Sequence, residues 1–287
     1  MPRCAILTLK DLSDFECYDH LLIKPMKRKG WDCIMVPWDD KNVSWDSFDL
    51  AIIRSTWDYQ NRLEDFIKVL QKINQSTCIL QNSLELVEWN MDKSYLFDLF
   101  EKNIEIVPSL LHKNYKESYL MDSFTLFSED QLVIKPTISA NADDTYVINK
   151  NNLSLMSESL EKKFSNKSYI IQPYIENIKK EGEYSLIFLG EEHSHTLLKT
   201  PKKGDFRVQE EHGGTLQLIN ETEERILKTA KKVMKSLPFE SLYARVDLVR
   251  KDNSFLLMEV EVIEPSLYFN IALKSASHFA RIVSKKF

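Results

Sequence analysis

Side chains alternate at period two along a β-strand. In "LLMEVEVIEP", residues 256–265, Glu259 and Glu261 therefore share one face, about 7 Å apart, while Val260 and Val262 share the other. The outer face of an antiparallel sheet would accept both glutamates as solvated groups. The residues upstream argue for more. "YARVDLVRKDNSFLLMEVEV" reads as a β-hairpin: an apolar run carrying Arg245 and Asp247 on one face, a Lys-Asp-Asn-Ser turn, and a second apolar run. Folding about Asn253 sets Asp247 opposite Glu259, with Glu261 one diagonal step away and Arg245 on the same face. Three carboxylates then converge within about 5 to 8 Å. Such a cluster repels unless a cation sits in it, and hard oxygen ligands without His or Cys favour magnesium, usually shared with substrate phosphates. The hairpin thus predicts a nucleotide site.

Composition narrows the choice. The chain has 287 residues, 43% of them hydrophobic, enough for two or three compact layers. A net charge of -5 argues against a nucleic-acid partner. No apolar run approaches the roughly 18 residues of a membrane span, and "RCAILTL" is too short for a signal-peptide core, so a cytoplasmic location is expected. Cys4, Cys17, Cys33 and Cys78 form no motif of closely spaced pairs and read as reduced, structural thiols. His193 and His195 lack a third nitrogen or sulfur ligand nearby, so no transition metal is expected there. The 6 glycines form neither a dinucleotide-binding nor a P-loop motif. Any bound nucleotide must have its phosphates held by side chains and metal.

Several elements must position these residues. "RCAILTL", "WDCIMVPW", "DLAIIRS" and "TCIL" read as strands, with helical spacing at 18–29 and 63–73 between them, a βαβ pattern that makes a small parallel sheet. The third strand runs into "RSTWDYQN", at the carboxyl end where open α/β sheets bind ligands, which marks Arg54, Ser55, Thr56, Trp57 and Asp58 as contacts for a small molecule. The competing reading makes Trp57 a core cap and pairs Arg54 with Asp58. A second region opens at "EWNMDKSYLFDLFEKNI", where Asn90 or Asp92 would cap a helix over 93–102. It continues through "QLVIKP", an apolar strand ending in a lysine that needs an anion or partner, and "SYIIQPYIEN", whose Gln-Pro-Tyr break reads as a hinge. The third region holds further strands, a helix over 222–236, the acidic hairpin and a closing helix. The boundaries expected are 1–88, 89–175 and 176–287.

In order, Lys93, "VIKP", "IIQPYI", "GEYSL", "LLKTPKKGDFR", "HGGT", "ARVDLV" and "MEVEV" resemble the ATP-grasp superfamily, in its glutathione-synthetase-like branch, over nearly the whole chain. Within it, "RSTWDY", "EWNMDKSYL", "GDFRVQEEHGG" and "IEPSLYF" are most similar to the ligase that closes the cycloserine ring from O-ureido-serine. The resemblance implies an ATP-grasp fold, α/β throughout, with an N-terminal parallel-sheet domain and two lobes sandwiching ATP. It implies that Lys93 and Lys135 reach the phosphates, that Gln172, Pro173, Tyr174 and Ile175 form the hinge against the adenine, and that Glu183 takes the ribose hydroxyls. Lys199 and Arg207, with Arg245 near by, would meet the γ-phosphate and an acyl phosphate. Asp247, Glu259 and Glu261 would hold magnesium, two ions, with manganese able to substitute.

The loop after Lys135 departs from the family pattern, carrying Ser139, Ala140 and Asn141 where glycines usually wrap the phosphates. Glu261 stands where glutathione synthetases carry Asn. The implied activity is carboxylate activation by ATP followed by attack of an amine-type nucleophile, on an amino-acid or small peptide-like substrate contacted by Arg54, Ser55, Thr56 and Ser266. A small-molecule kinase and a nucleotide-dependent binding protein would use the same site. Relatives are often oligomeric, so a homo-oligomer fits the resemblance.

Overall fold

The computed structural model describes residues 1–287 apart from Asn141, Phe206, Gln209, Glu211 and His212. Three sheets follow one another along the chain. The first is built from β1 (Arg3–Thr8), β2 (Asp32–Pro37), β3 (Leu50–Ser55) and β4 (Ile79–Gln81), in the order β2-β1-β3-β4, with parallel pairing throughout. The crossovers carry α1 (Ile23–Arg28) and α2 (Leu63–Asn74), as parallel neighbours require. In β1 and β3 the apolar run is buried on both faces, Ala5, Ile6 and Leu7 against Ala51, Ile52 and Ile53. Cys4 and Cys33, distant in sequence, are register partners across this sheet, and both are free thiols.

Two short helices follow, α3 (Leu84–Asn90) and α4 (Tyr95–Glu101). The sequence reading places only the second of them, at the opening of the central region. Their apolar faces, through Leu86, Tyr95, Leu96 and Leu99, instead share a core with Phe188, Val246, Leu257 and Val260 of the third sheet. The second sheet comprises β5 (Leu110–Lys113), β6 (Gln131–Pro136), β7 (Tyr146–Asn149) and β8 (Ser168–Pro173), ordered β5-β8-β6-β7 and antiparallel. Helices α5 (Glu117–Phe127) and α6 (Leu153–Phe164) supply Leu120, Phe124, Leu160 and Phe164 to its core.

After α7 (Asn177–Lys180), the third sheet contains β9 (Glu183–Leu189), β10 (Glu192–Thr200), β11 (Thr215–Ile219), β12 (Tyr243–Lys251) and β13 (Ser254–Glu261), ordered β11-β10-β9-β12-β13. One face packs on α8 (Glu224–Ser236) through Ile226, Ala230 and Val233. On the other side, Tyr243 and Ile187 join a core with Ile6 and Ile52 of the first sheet and Phe279 of α9 (Ser275–Lys286). The first and third sheets therefore share one apolar core, and β12 and β13 run alongside the junction.

Candidate active site

The hairpin expected from the alternation is present. Asp247 lies opposite Glu259 and Arg245 opposite Glu261. The turn closes between Lys251 and Ser254, with Asp252 at φ 53°, the left-handed conformation that Asp tolerates better than most residues. A bulge absent from the sequence reading sits beside the acidic pair: Leu248 faces Leu257, so Met258 has no partner residue. A bulge adds local twist and re-aims side chains. Here Met258 and Glu259, consecutive residues, both line the same cleft.

β13 is the last strand of its sheet, and an open edge exposes unpaired backbone groups. The main chain around Ile106 pairs with Leu257, with hydrogen bonds of 2.8 and 3.0 Å, and three side chains close the rest. Asn90 donates to the Val260 carbonyl at 2.8 Å and accepts from the Val262 amide at 3.1 Å. The Tyr95 hydroxyl accepts from the Val260 amide at 3.0 Å. Asn82 donates to the carbonyls of Val262 and Tyr243 and accepts from the Leu242 amide at 2.6 Å. Asn90, one of the two caps expected, is thus a clamp on the acidic strand. Asp92, the other, accepts the Ser94 amide at 2.8 Å in the turn ahead of α4, and the N-cap position itself, Ser94, makes no side-chain capping bond.

The cleft between the second and third sheets gathers most of the expected site residues. Lys93, Lys135, Ser139, Gln172, Pro173, Tyr174, Ile175, Glu183, Lys199, Arg207, Arg245, Glu259, Glu261 and Ser266 all line it. Its floor is a network of charges. Lys93 meets Glu259 at 3.1 Å and donates to the Ser139 carbonyl at 2.7 Å. Lys199 lies 2.5 Å from Glu183 and 3.5 Å from Asp247. Arg245 donates to both oxygens of Asp247, at 3.1 and 3.0 Å, and also pairs with Glu261. Asp247 further accepts from the Ser185 hydroxyl. Lys135 is different. Its ammonium has no hydrogen bond or ion pair among the described residues, and burial lowers its pKa.

The electrostatics separate the carboxylates. Burial pushes Asp247 up, but Arg245 and then Lys199 outweigh it and hold the group below the ordinary range. Glu259 behaves likewise: burial is overcome by Lys93 and Lys135. Glu261 is pushed up to about 7, chiefly by burial, with Arg245 only partly offsetting it and Glu259 adding repulsion. Among the described residues no three His, Cys, Asp or Glu side chains surround a common point at metal-binding spacing. The trio expected to hold magnesium is instead turned towards protein cations. The donor set still fits the ion, since it offers carboxylate oxygens alone, and rotating Glu259 or Glu261 away from its partner is a side-chain movement.

Other expectations need correction. Arg54, Ser55 and Thr56 are fully buried and do not line the cleft. Arg54 pairs with Asp19 at 3.1 Å, not with Asp58, donates to the Pro265 carbonyl at 2.7 Å, and lies over the Tyr243 ring. Ser55 donates to Thr8 at 2.8 Å. Asp58 accepts from Trp38 and Arg62. Trp57 does reach the cleft. Arg207 lines it as well, with its guanidinium held by Asp205 at 2.8 Å. His195 is structural: its ring is within 3.1 Å of the Leu267 carbonyl. Asn141, expected in the phosphate loop, lies outside the described residues. Glu264, overlooked in the sequence, is buried on the cleft wall, and burial with repulsion from Glu261 pushes its carboxyl up to about 8.

A nucleotide-sized cleft between two antiparallel lobes, floored by lysines and an acidic hairpin, defines an ATP-grasp enzyme. Residues 105–275 match the family described as prokaryotic glutathione synthetase, ATP-grasp domain, and the chain belongs to it. It is an ATP-dependent C–N ligase. Residues 4–82 match the N-terminal domain of D-cycloserine synthetase DcsG. The cycloserine biosynthesis protein DcsG of Streptomyces lavendulae is 25% identical over 280 residues, covering 92% of each chain. Among solved structures, that of D-cycloserine synthetase DcsG aligns with TM-score 0.88 over 99% of both chains at 24% identity. The D-alanine–D-alanine ligase of Bacillus anthracis aligns with TM-score 0.69 over 99% of this chain and 95% of its own, at 16% identity. In the described residues no helix is long and apolar enough to cross a membrane.

Proposed function

We propose that this ligase activates the carboxylate of a small, amino-acid-like substrate as an acyl phosphate, which an amine-type nucleophile then attacks, releasing phosphate and leaving ADP. The observation that carries this reading is the balance of charge in the cleft. Lys93, Lys135, Lys199, Arg207 and Arg245 line a cleft that Glu16, Glu183, Glu210, Glu259, Glu261 and Glu264 also line, with Asp247 beside it on Lys199 and Arg245, so the protein's cations are already offset by its own carboxylates. A triphosphate entering such a cleft brings negative charge that the side chains alone do not neutralise. Divalent cations supply the difference. Asp247, Glu259 and Glu261 would hold two magnesium ions, for which manganese could substitute. When bound, these would neutralise the charge on the transferring phosphoryl group.

The chain's own residues do the rest. Lys135, half-buried and without a hydrogen bond or ion pair among the described residues, is the cation available to take a phosphate oxygen, and Lys93 joins it once Glu259 turns away. Gln172 to Ile175 flank the adenine at the hinge, with the Gln172 side chain fixed by Ser109 at 2.8 Å. Glu183 receives the ribose hydroxyls. Lys199, Arg207 and Arg245 stand where charge develops on the acyl phosphate, and Ser266 lies on the substrate side. Catalysis is alignment and charge neutralisation, as phosphoryl transfer requires. A relative that matches over 92% of the chain is named a cycloserine biosynthesis protein, and cycloserine is a small amino-acid derivative, which supports a substrate of that class.

A hydroxylamine trap tests the reading. With a panel of amino acids, ATP and magnesium, ADP release should be accompanied by hydroxamate, because a small strong nucleophile intercepts an acyl phosphate. Phosphorylated substrate without hydroxamate would mean a kinase.

A further inference from the structure

The cleft has a second end whose chemistry differs from its phosphate end. Beyond the acidic strand its wall is formed by Phe15, Trp57, Tyr59, Ile263 and Glu264, with Ser266 beside them. Among the described residues no lysine or arginine forms an ion pair with the carboxyl here, although Lys93 and Arg245 are near enough to favour its charged form. Glu183, Glu259 and Glu261 on the cleft wall, and Asp247 beside them, each meet a protein cation, whereas among the described residues no side-chain hydrogen bond or ion pair reaches the Glu264 carboxyl, although only 8% of the residue is exposed. A buried carboxyl left unpaired is costly, and folds keep one where a ligand completes it.

The backbone holds this carboxyl in place from the N-terminal sheet. The Trp57 indole donates to the Glu264 carbonyl at 2.9 Å, and Arg54 donates to the next carbonyl, that of Pro265, at 2.7 Å. The arginine expected to contact substrate is thus a tether for the segment that does. Phe15 packs on Trp57 with ring centroids 5.4 Å apart, so the approach to Glu264 is lined by aromatic rings. Aromatic faces carry negative charge density and attract organic cations. Aromatic walls and an unpaired buried carboxyl together select a desolvated ammonium group.

We propose that Glu264, with Phe15, Trp57 and Tyr59, forms the subsite for a primary ammonium group of the substrate, so that the carboxylate to be activated belongs to an amino acid whose ammonium points away from ATP. The inference rests on the carboxylate-activating reading above and narrows it. The ammonium donates to Glu264 while the aromatic faces replace its water. The substrate carboxylate then lies towards Arg245 and Glu261, at the phosphate end.

The test uses pairs of acids differing only in the ammonium: D- and L-serine against D- and L-glyceric acid, and β-alanine against propionic acid. Each is titrated calorimetrically into the full chain with magnesium and a non-hydrolysable ATP analogue. An ammonium-bearing member should bind wild type about 10- to 100-fold more tightly than its partner. Glu264→Gln, which keeps shape and removes the charge, should collapse that preference to within about threefold, and Phe15→Leu should reduce it by about two- to fivefold. If every ammonium-bearing acid binds no better than its partner, or binds Glu264→Gln as tightly as wild type, the proposal is overturned. Hydroxylamine trapping separates the two readings. Hydroxamate formed equally well from the deaminated acids would keep carboxylate activation and sink the subsite. Ammonium preference that depends on Glu264, without hydroxamate from any acid, would keep the subsite and sink carboxylate activation.

Discussion

Glu259 and Glu261 share a face and a strand, yet their surroundings divide their roles. Lys93 and Lys135 outweigh burial at Glu259 and keep it ionised, while burial pushes Glu261 up to about 7 despite Arg245. A neutral residue at 261 therefore changes less charge than one at 259. Glu259→Gln should all but abolish ADP formation at any magnesium concentration. Glu261→Asn should retain activity and chiefly raise the magnesium needed for half-maximal rate. Rates measured against magnesium for both variants check this, and wild-type behaviour from both would remove the glutamates from the metal site and leave them only their ion pairs with Lys93 and Arg245. At this scale the sequence was informative where chemistry lies in neighbouring residues. The period-two pattern with a four-residue turn gave the register of Asp247 and Glu259. It misled where a partner lies far away: Asp19, which takes Arg54, is distant along the chain, and nothing local distinguishes a buried ion pair from a substrate contact. Glu264 went unnoticed because a lone Glu-Pro carries no pattern, and its unpaired state is a fact of packing.

The elements around the site are held by polar side chains acting as backbone. Asn90 satisfies one amide and one carbonyl on the open edge of β13. Asn90→Ala would leave both buried groups unpaired and should destabilise the fold by about 2 to 4 kcal/mol, read by denaturant unfolding. Sequence reasoning gave α4 but offered Asn90, beside Asp92, as its cap, because asparagine before an apolar run is ordinarily a cap. Only the approach of β13 assigns it otherwise. His195 on β10 gives a pH signature. Burial lowers its pKa from 6.5 to about 4, so between those values the unfolded chain takes up a proton that the folded chain refuses. Stability from this group is present above pH 6.5 and is lost as pH falls towards 4, by about 1 kcal/mol per pH unit at most. Thermal unfolding of wild type should therefore fall more steeply over that window than that of His195→Asn. Parallel slopes would show that the histidine titrates alike in both states.

At the scale of the molecule, the parallel N-terminal sheet follows from its continuous apolar runs and the acidic hairpin from its alternation, and those two were legible in the sequence. How they pack was not. The first and third sheets share the core around Ile6, Ile187, Tyr243 and Phe279, and α3 and α4 join the third sheet, because apolar faces carry no address in sequence. A second core, around Leu7, Tyr59 and Ile263, sets Phe15 and Trp57 on the cleft wall, and the proposal gives one end of that cleft to phosphates and the other to substrate. The central claim is that these ends cooperate to put phosphate on a carboxylate oxygen. Oxygen transfer tests it most directly. With both carboxylate oxygens of the substrate acid labelled with the heavy isotope, and ATP and amine supplied, inorganic phosphate is collected and weighed by mass spectrometry. Carboxylate activation predicts one heavy oxygen in each phosphate released, because the carbon–oxygen bond of the acyl phosphate breaks on amine attack. Unlabelled phosphate, with both heavy oxygens retained in the product, would contradict the account.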